Sequence, residues 1–308
     1  MLWPEEYEGF RAEARDVAES IRELYGGMAG ERPTDPVARV EAQREMMAML
    51  ETTSPDGADE TIAGVPCRVF NRDAGRGVYL HFHGGAMVLG SPRMNDADNA
   101  RIASELGVAV VSVDYRLAPE HPFPAGSDDC LAVAKAVLDA DDRPVVVGGE
   151  SAGGYYAALT LLRIRDELGA VDRVRGANLV FGVYDLSGTP SNQQGSRPSD
   201  VPDILEDDTA GWVLENYLPG RTPEEARQAD CSPLYADLHD LPPALFTVGS
   251  ADHLLDDSLF MAARWQAWGN EATLAVYPDC IHGFVGFPTE LSKRANERVA
   301  EFIDACFG

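Results

Sequence analysis

The chain has 308 residues, of which 45% are hydrophobic, and its formal net charge at pH 7 is -26. This apolar content is ample for the core of one large α/β domain or of two small ones. The strong negative charge excludes nucleic acid and anionic membranes as favoured partners, because both would repel the chain.

A regular alternation of strands and helices is predicted after a helical N-terminal segment. Residues 5–50 have an amphipathic helical pattern with one proline-containing break. Short apolar strands are predicted at 66–70, 78–83, 107–114, 144–148, 177–184, 244–249 and 272–277. Helices are predicted at 95–106, 126–140, 152–168, 256–268 and 290–306. This alternation indicates the α/β class, with a mostly parallel sheet that is covered by helices on both faces.

One interval departs from this alternation. Residues 186–230 form a long polar insertion after a predicted strand, with a short helical pattern around Trp212 and Tyr217. A connection of this length inside a compact domain is usually functional or disordered.

The cysteines and the N-terminal residues bear on the cellular location. The five cysteines are scattered and form no CxxC pair, so neither a disulfide framework nor a zinc site is expected. Residues 1–20 are acidic and lack the apolar region of a signal peptide. No apolar run approaches the roughly 18 residues that a membrane helix requires. We therefore expect a soluble, cytoplasmic protein.

The sequence GESAG at 149–153 joins a predicted strand to a predicted helix. G-x-S-x-G at such a junction is typical of the nucleophile elbow, a tight turn that lifts the serine hydroxyl clear of the sheet. Gly149 and Gly153 would let the strand and the helix approach closely. The helix N-terminus would place its positive dipole end beneath Ser151. The alternative is a glycine-rich turn that holds nothing or a phosphate.

A serine hydroxyl needs a base and an orienting acid before it becomes a good nucleophile. Asp252 follows one predicted strand and His282 follows the next. The order Ser151, Asp252, His282 is that of α/β-hydrolases, and the carboxyl ends of parallel strands meet at one edge. Taken singly, Asp252 could be a helix N-cap and His282 an ordinary loop histidine. A Cys280–His282 pair is disfavoured, because cysteine nucleophiles usually lie at helix starts.

A predicted strand ends in the sequence His83-Gly84-Gly85-Ala86. The backbone N–H groups of Gly84 and Gly85, together with that of Ala152, are predicted to form an oxyanion hole. Ala86 is an alternative donor to Gly85. The alternative reading is a turn that merely happens to be rich in glycine. His83 is interpreted as a residue that braces this loop rather than as a base.

With these residues assembled, the sequence resembles the hormone-sensitive-lipase-like family of α/β-hydrolase carboxylesterases over about residues 65–305. The resemblance rests on five motifs: HGGA at 83–86, DYRLAPEHPFPA at 114–125, GESAGG at 149–154, DHLLDD at 252–257 and HGF at 282–284. The proline-rich second motif is interpreted as a structural brace for the site.

The resemblance implies an α/β-hydrolase fold of one domain, residues 1–308, with a helical cap. The cap would comprise about 1–50 and 186–225, and the catalytic core about 60–185 and 226–308. Ser151 would be the nucleophile, His282 the base and Asp252 the acid.

Several positions depart from the family pattern without removing a catalytic group. They are Ala86 for a third glycine, Glu150 for aspartate, Tyr155 for asparagine and His253 for proline. These departures bear on substrate preference and rate. Asp256 and Asp257 lie close to the predicted acid, and Asp256 would replace Asp252 in that role if the assignment were wrong.

The resemblance implies hydrolysis of short- to medium-chain acyl esters through an acyl-enzyme, with a small-molecule ester as partner and no metal or cofactor. One alternative keeps the triad but cleaves lactones, amides or acetylated sugars. Another is a non-catalytic ligand receptor on the same fold, although such proteins tend to lose the histidine that is present here. The large type-B carboxylesterases share the GESAG string but are longer and use glutamate as the acid. Relatives range from monomers upward, so a homodimer is one expectation.

Overall fold

Eight strands of the described residues form one central sheet. The computed structural model describes residues 2–28, 35–51, 53–193, 199–201 and 209–308. The strands are β1 Gly57–Ile62, β2 Val65–Phe70, β3 Val78–Phe82, β4 Ala109–Val113, β5 Val145–Glu150, β6 Val174–Val180, β7 Ala244–Gly249 and β8 Ala272–Tyr277. Their spatial order is β1-β2-β4-β3-β5-β6-β7-β8. The pairs β1–β2 and β2–β4 are antiparallel and all other pairs are parallel, which confirms the predicted fold class.

Helices cover both faces of this sheet. Within the same described residues they are α1 Arg11–Met28, α2 Pro36–Leu50, α3 Asp96–Leu106, α4 Ala125–Ala140, α5 Ala152–Arg163, α6 Thr209–Tyr217, α7 Pro223–Ala226, α8 Leu255–Ala267 and α9 Glu290–Phe307. Two large apolar clusters separate the layers. One contains buried residues of α4, α5 and α8, and the other contains buried residues of α3 and α9. None of the helices described is both long enough and apolar enough to cross a membrane.

Side chains alternate along the strands between these two clusters. In β5, Val145 and Val147 belong to the first cluster, whereas Val146 belongs to the second. Each of the three is at most 2% exposed. This burial on both faces explains why the parallel strands have continuous apolar sequences that could be predicted.

Strand β1 is absent from the sequence prediction. Its sequence GADETI is largely polar, and its residues are all intermediate or exposed. It lies at the edge of the sheet and pairs only with β2. β1 is a strand because its backbone pairs with that of β2. Such pairing requires no apolar pattern, so the sequence does not reveal it.

The N-terminal segment and the insertion largely follow the prediction. Residues 5–50 contain a 3-10 turn at Glu5–Phe10 followed by α1 and α2, and residues 29–34 lie outside the described part. Asp35 caps α2 by accepting from the Ala38 N–H at 2.9 Å. In the insertion, α6 contains Trp212 and Tyr217 as predicted, whereas 194–198 and 202–208 are not described.

Candidate active site

The predicted elbow lies between β5, which ends at Glu150, and α5, which begins at Ala152. Ser151 has φ 56° and ψ -117°, a conformation that is costly for a residue with a side chain. A Cβ at Gly149 would lie 2.2 Å from the Phe82 carbonyl oxygen, and a Cβ at Gly153 only 1.9 Å from it. Both glycines therefore allow the close approach of strand and helix, which confirms the reason predicted for them.

The structure brings together the three side chains that the sequence selected. His282 Nε2 lies 2.9 Å from Ser151 Oγ. On the other side of the ring, His282 Nδ1 lies 3.1 and 3.0 Å from the two carboxylate oxygens of Asp252. This is the geometry in which a carboxylate fixes the imidazole so that Nε2 can accept the serine proton.

Two loops at the carboxyl ends of β7 and β8 hold Asp252 and His282. Asp252 is fully buried, and its Oδ1 accepts from the Leu254 N–H at 2.7 Å. Helix α8 begins at Leu255 with Leu254 in the N-cap position, so Asp252 is not the N-cap. The His282 ring lies against Phe181, with ring centroids 4.8 Å apart.

The glycine-rich turn after β3 lies beside the serine. A Cβ at Gly84 would lie 3.2 Å from the Glu150 carbonyl oxygen and 3.5 Å from Ser151 Cβ. Gly85 has φ 122°, and its carbonyl accepts from the N–H groups of Val88 and Leu89 at 3.0 and 2.8 Å. Ala152 is the first residue of α5, so its N–H has no acceptor within the helix.

Ala86 follows in this turn with φ 51°, in the left-handed region where glycine is usual. An alanine in this conformation costs about 1–2 kcal/mol relative to the right-handed region. The departure from a third glycine is thus accommodated, and the alanine side chain lines the cleft beside Ser151.

His83 braces the turn and does not approach Ser151 as a base. Its ring stacks on Tyr115 with centroids 4.2 Å apart, and its Nδ1–H donates to the Gly84 carbonyl at 2.7 Å. The Tyr115 hydroxyl donates to the His83 carbonyl at 2.7 Å. Complete burial lowers the pKa of His83 to about 3, so the ring is neutral at pH 7. Tyr115 belongs to the proline-rich motif, which therefore braces the site as interpreted.

A second histidine network was not predicted. His81 Nε2 lies 2.9 Å from Glu150 Oε2, and His81 Nδ1 lies 2.9 Å from Ser112 Oγ. His81 and Ser112 are at most 1% exposed, so neither can meet a substrate. The network anchors the residue directly before Ser151. A histidine within an otherwise apolar strand was the available sequence signal.

The two alternative acids have other partners. Asp257 Oδ1 accepts from the N–H groups of Tyr184 and Asp185 at 2.6 and 2.9 Å, and its Oδ2 accepts from the Thr189 hydroxyl at 2.6 Å. Asp256 Oδ2 accepts from the Ser191 N–H at 2.9 Å. Both carboxylates thus hold the loop after β6.

Burial raises the pKa of Asp257 to about 7 from its ordinary 3.8. The folded protein therefore binds the proton of the Asp257 carboxyl group more tightly than the unfolded chain does. For this reason the free energy of unfolding falls as the pH rises from about 4 through 7. In Asp257→Asn the amide oxygen would still accept the two N–H bonds. Between about pH 5 and 8, we expect the free energy of unfolding to decline less in this variant than in the wild type. The difference between the two declines should be on the order of 2–3 kcal/mol.

Urea unfolding at a series of pH values measures this difference. Asp256→Asn removes a neighbouring, partly buried carboxylate and controls for the change in net charge. Parallel stability curves for the wild type and Asp257→Asn would contradict the expectation.

Ser151 opens into a small cleft. Seven of the ten residues that line the cleft are apolar: Ala86, Met87, Ala152, Val183, Leu186, Val213 and Leu254. An apolar lining suits the hydrocarbon part of a substrate. Among the described residues, no group of three or more His, Cys, Asp or Glu side chains could hold a metal ion.

The sheet is mostly parallel, a strained serine lies between a strand and a helix, and an aspartate and a histidine lie on later loops. Together these features define an α/β-hydrolase of the serine type. The comparison with known families agrees. The family model described as the alpha/beta hydrolase fold matches residues 79–286. The chain belongs to this family.

Proteins with similar sequences include esterases. Carboxylesterase NlhH of Mycobacterium tuberculosis is 35% identical over 223 residues, which are 68% of this chain and 67% of that protein. An esterase of Acinetobacter venetianus is 35% identical over 72% of this chain and 73% of its own length.

Solved structures are similar over almost the whole chain. The hyperthermophilic esterase of the archaeon Pyrobaculum calidifontis has a TM-score of 0.80 and 32% identity, over 94% of this chain and 97% of its own. A hormone-sensitive lipase from a metagenome library has a TM-score of 0.82 and 29% identity, over 96% and 98%. The predicted resemblance to hormone-sensitive-lipase-like carboxylesterases is confirmed.

Proposed function

We propose that the protein is a carboxylesterase in which Ser151 is the nucleophile, His282 the general base and Asp252 the orienting acid. The observation that carries this proposal is the continuous hydrogen-bonded series from Asp252 through His282 to Ser151, at the floor of an apolar cleft. Nucleophile, base and acid are each within hydrogen-bonding distance of the next, as the chemistry requires.

The reaction follows from these positions. His282 Nε2 takes the proton of Ser151 Oγ while the oxygen attacks the ester carbonyl. The N–H groups of Gly84, Gly85 and Ala152 stabilise the negative oxygen that develops, and each such donor contributes about 3–4 kcal/mol to the transition state. The protonated His282 then gives its proton to the leaving alcohol. A water, activated by the same ring, releases the acid and restores the serine.

The size of the cleft favours short acyl chains. A panel of p-nitrophenyl esters from acetate to palmitate tests both the activity and its chain-length range. We expect kcat/KM to be highest for the short esters and to fall for chains of about twelve carbons or more, because such chains extend beyond the cleft. No hydrolysis of any member would contradict the proposed function, and a maximum at palmitate would contradict the chain-length range.

The division into a cap and a core is also a proposal, supported by contacts of the N-terminal helices. Arg44 of α2 donates to the carbonyl oxygens of Val88 and Ala118 at 2.9 and 2.8 Å. Arg11 of α1 donates to Asp279, on the His282 loop, at 2.8 Å. These helices therefore contact the segment that follows the glycine-rich turn after β3, the proline-rich motif and the loop of His282.

Four further properties stay predictions. Val213 of α6 lines the cleft, which supports a covering role for the predicted cap segment 186–225. The five cysteines are free thiols, in keeping with the predicted cytoplasmic location. A homodimer and the absence of a cofactor remain to be tested by measurement of mass in solution and by assay in the presence of a chelator.

A further inference from the structure

The glycine-rich turn after β3 continues into two strained residues that are not glycine. Ala86 and Met87 have φ 51° and 63°, so two consecutive residues with side chains lie in the left-handed region. Met87 is fully buried, and both residues line the cleft beside Ser151. Backbone strain of this kind persists only where the surrounding structure determines the conformation strongly. The turn therefore depends on contacts from outside itself.

One side chain of helix α2 holds the segment that follows this turn. Arg44 Nε donates to the Val88 carbonyl oxygen at 2.9 Å, and Arg44 Nη2 donates to the Ala118 carbonyl oxygen at 2.8 Å. The Val88 N–H donates to the Gly85 carbonyl at 3.0 Å. The Ala118 N–H donates to the Met87 carbonyl, also at 3.0 Å. Arg44 thus binds two residues whose own N–H groups are bonded to the turn.

The position of Arg44 is itself fixed. The Glu120 carboxylate accepts from Arg44 Nη1 and Nη2 at 2.7 and 2.9 Å, which is a bidentate arrangement. The bonds from Arg44 lower the pKa of Glu120 below its ordinary value, so the carboxylate is charged at pH 7. Val40 of the same helix is buried in the apolar cluster that contains Met87. Helix α2 is therefore docked on the core beside the turn that Arg44 holds.

Only a guanidinium supplies this set of bonds. The Arg44 side chain donates to two carbonyl oxygens and to both oxygens of one carboxylate, using Nε, Nη1 and Nη2 together. A lysine ammonium is a point charge on a flexible stem and cannot reproduce this planar fork. The same helix makes a further contact beyond the turn, where the Ser91 hydroxyl donates to Glu51 at 2.6 Å.

We propose that Arg44 is a positioning residue for the oxyanion hole: it holds the strained backbone at 86–88 so that the N–H groups of Gly84 and Gly85 point at the substrate carbonyl oxygen. The inference rests on the proposed esterase function and gives helix α2 a part in the rate of the reaction. Arg44 is not among the residues that line the cleft, so it acts through the backbone of the turn.

Arg44→Met tests this role, because methionine retains the apolar stem of the side chain and removes every donor. A misplacement of about 1 Å at an active-site group costs roughly 10²-fold in rate. We therefore expect kcat for p-nitrophenyl butyrate to fall by roughly 10- to 100-fold, with KM within about threefold of the wild type. Arg44→Lys keeps the charge without the fork and should lose kcat to an intermediate extent.

Two ketones provide a readout that a purely structural role of Arg44 would not change. Butyl trifluoromethyl ketone forms an adduct in which Ser151 Oγ bonds to the carbonyl carbon and His282 takes the serine proton. The electron pair of the carbonyl π bond moves to the oxygen, which then occupies the oxyanion hole. Butyl methyl ketone has the same chain and binds without this adduct. Arg44→Met should weaken inhibition by the first ketone by the same factor as kcat/KM, and leave inhibition by the second unchanged.

Arg93→Met is the matched control. Arg93 follows the turn closely in the chain, but it donates to Asp59 at 2.7 Å and to no residue of the turn. Its side chain is 32% exposed, against 29% for Arg44. The control therefore removes the same charge from a similar environment, and kcat and both inhibition constants should stay within about twofold of the wild type. Circular dichroism and thermal unfolding check the fold of all three variants, and Arg44→Lys decides alone if Arg44→Met does not fold.

Wild-type kcat in the folded Arg44 variants, or an increase in KM alone, would overturn this inference and leave the esterase proposal intact. The same conclusion holds if kcat falls while inhibition by the trifluoromethyl ketone is unchanged, because the oxyanion hole would then be in place. Absence of hydrolysis by the wild type would instead overturn the proposed function and the inference with it. The two failures are therefore distinguishable.

Discussion

Replacement of Ser151 by alanine is expected to lower kcat for p-nitrophenyl butyrate by roughly 10⁴- to 10⁶-fold, because the hydroxyl on which the acyl-enzyme forms is removed. The fold should be retained, since alanine preserves the Cβ and the backbone geometry of the elbow. Thermal unfolding should therefore occur near the wild-type temperature. Mass spectrometry adds a direct readout: an organophosphate p-nitrophenyl ester should label the wild type at residue 151 and leave the variant unlabelled.

Ser112 provides a matched control for this experiment. Its hydroxyl also lies 2.9 Å from a histidine nitrogen, that of His81, but it is fully buried in β4. Ser112→Ala should therefore retain the organophosphate label and keep kcat within about tenfold of the wild type, with a loss of stability of about 1 kcal/mol. Labelling of Ser151→Ala, or comparable turnover in that variant and the wild type, would contradict the assignment of the nucleophile.

The second large effect is expected for Asp252→Asn. The amide would still lie beside His282 Nδ1, but it would favour the tautomer that cannot accept the proton of Ser151. Such a change in a serine hydrolase lowers kcat by roughly 10⁴-fold while the geometry stays intact. We expect a loss of this order in kcat, with a much smaller effect on KM, measured with p-nitrophenyl butyrate.

Asp256→Asn discriminates between the two acids. Asp256 lies in the same motif and holds the Ser191 turn, so this variant should reduce kcat by less than about tenfold. The reverse result, in which Asp256→Asn loses activity and Asp252→Asn keeps it, would transfer the role of the acid to Asp256.

Local pattern and strand order were sufficient to predict the layout of the site. Ser151 lies in a pentapeptide whose glycines have a steric purpose that is visible in the sequence. Asp252 and His282 follow consecutive parallel strands, and the carboxyl ends of such strands meet at one edge whatever the details of the helices. For this reason, residues more than a hundred positions apart in the chain could be selected together.

What could not be predicted depends on contacts between distant segments that leave no periodic trace. Asn192 looks like one polar residue among many in the insertion, and its burial is evident only from the structure. The pairing of His81 with Glu150 joins side chains on neighbouring strands. Strand β1 is defined by backbone pairing alone, so a polar sequence could not reveal it.

The crowding around the Phe82 carbonyl oxygen has a consequence for directed evolution of this scaffold. Any side chain at 149 or 153 would collide with the backbone at Phe82, which leads directly into the glycine-rich turn after β3. Combinatorial libraries should therefore keep glycine at both positions and place their diversity at Val183, Leu186 and Val213. New specificities would then arise from the walls of the cleft while the chemical machinery stays unaltered.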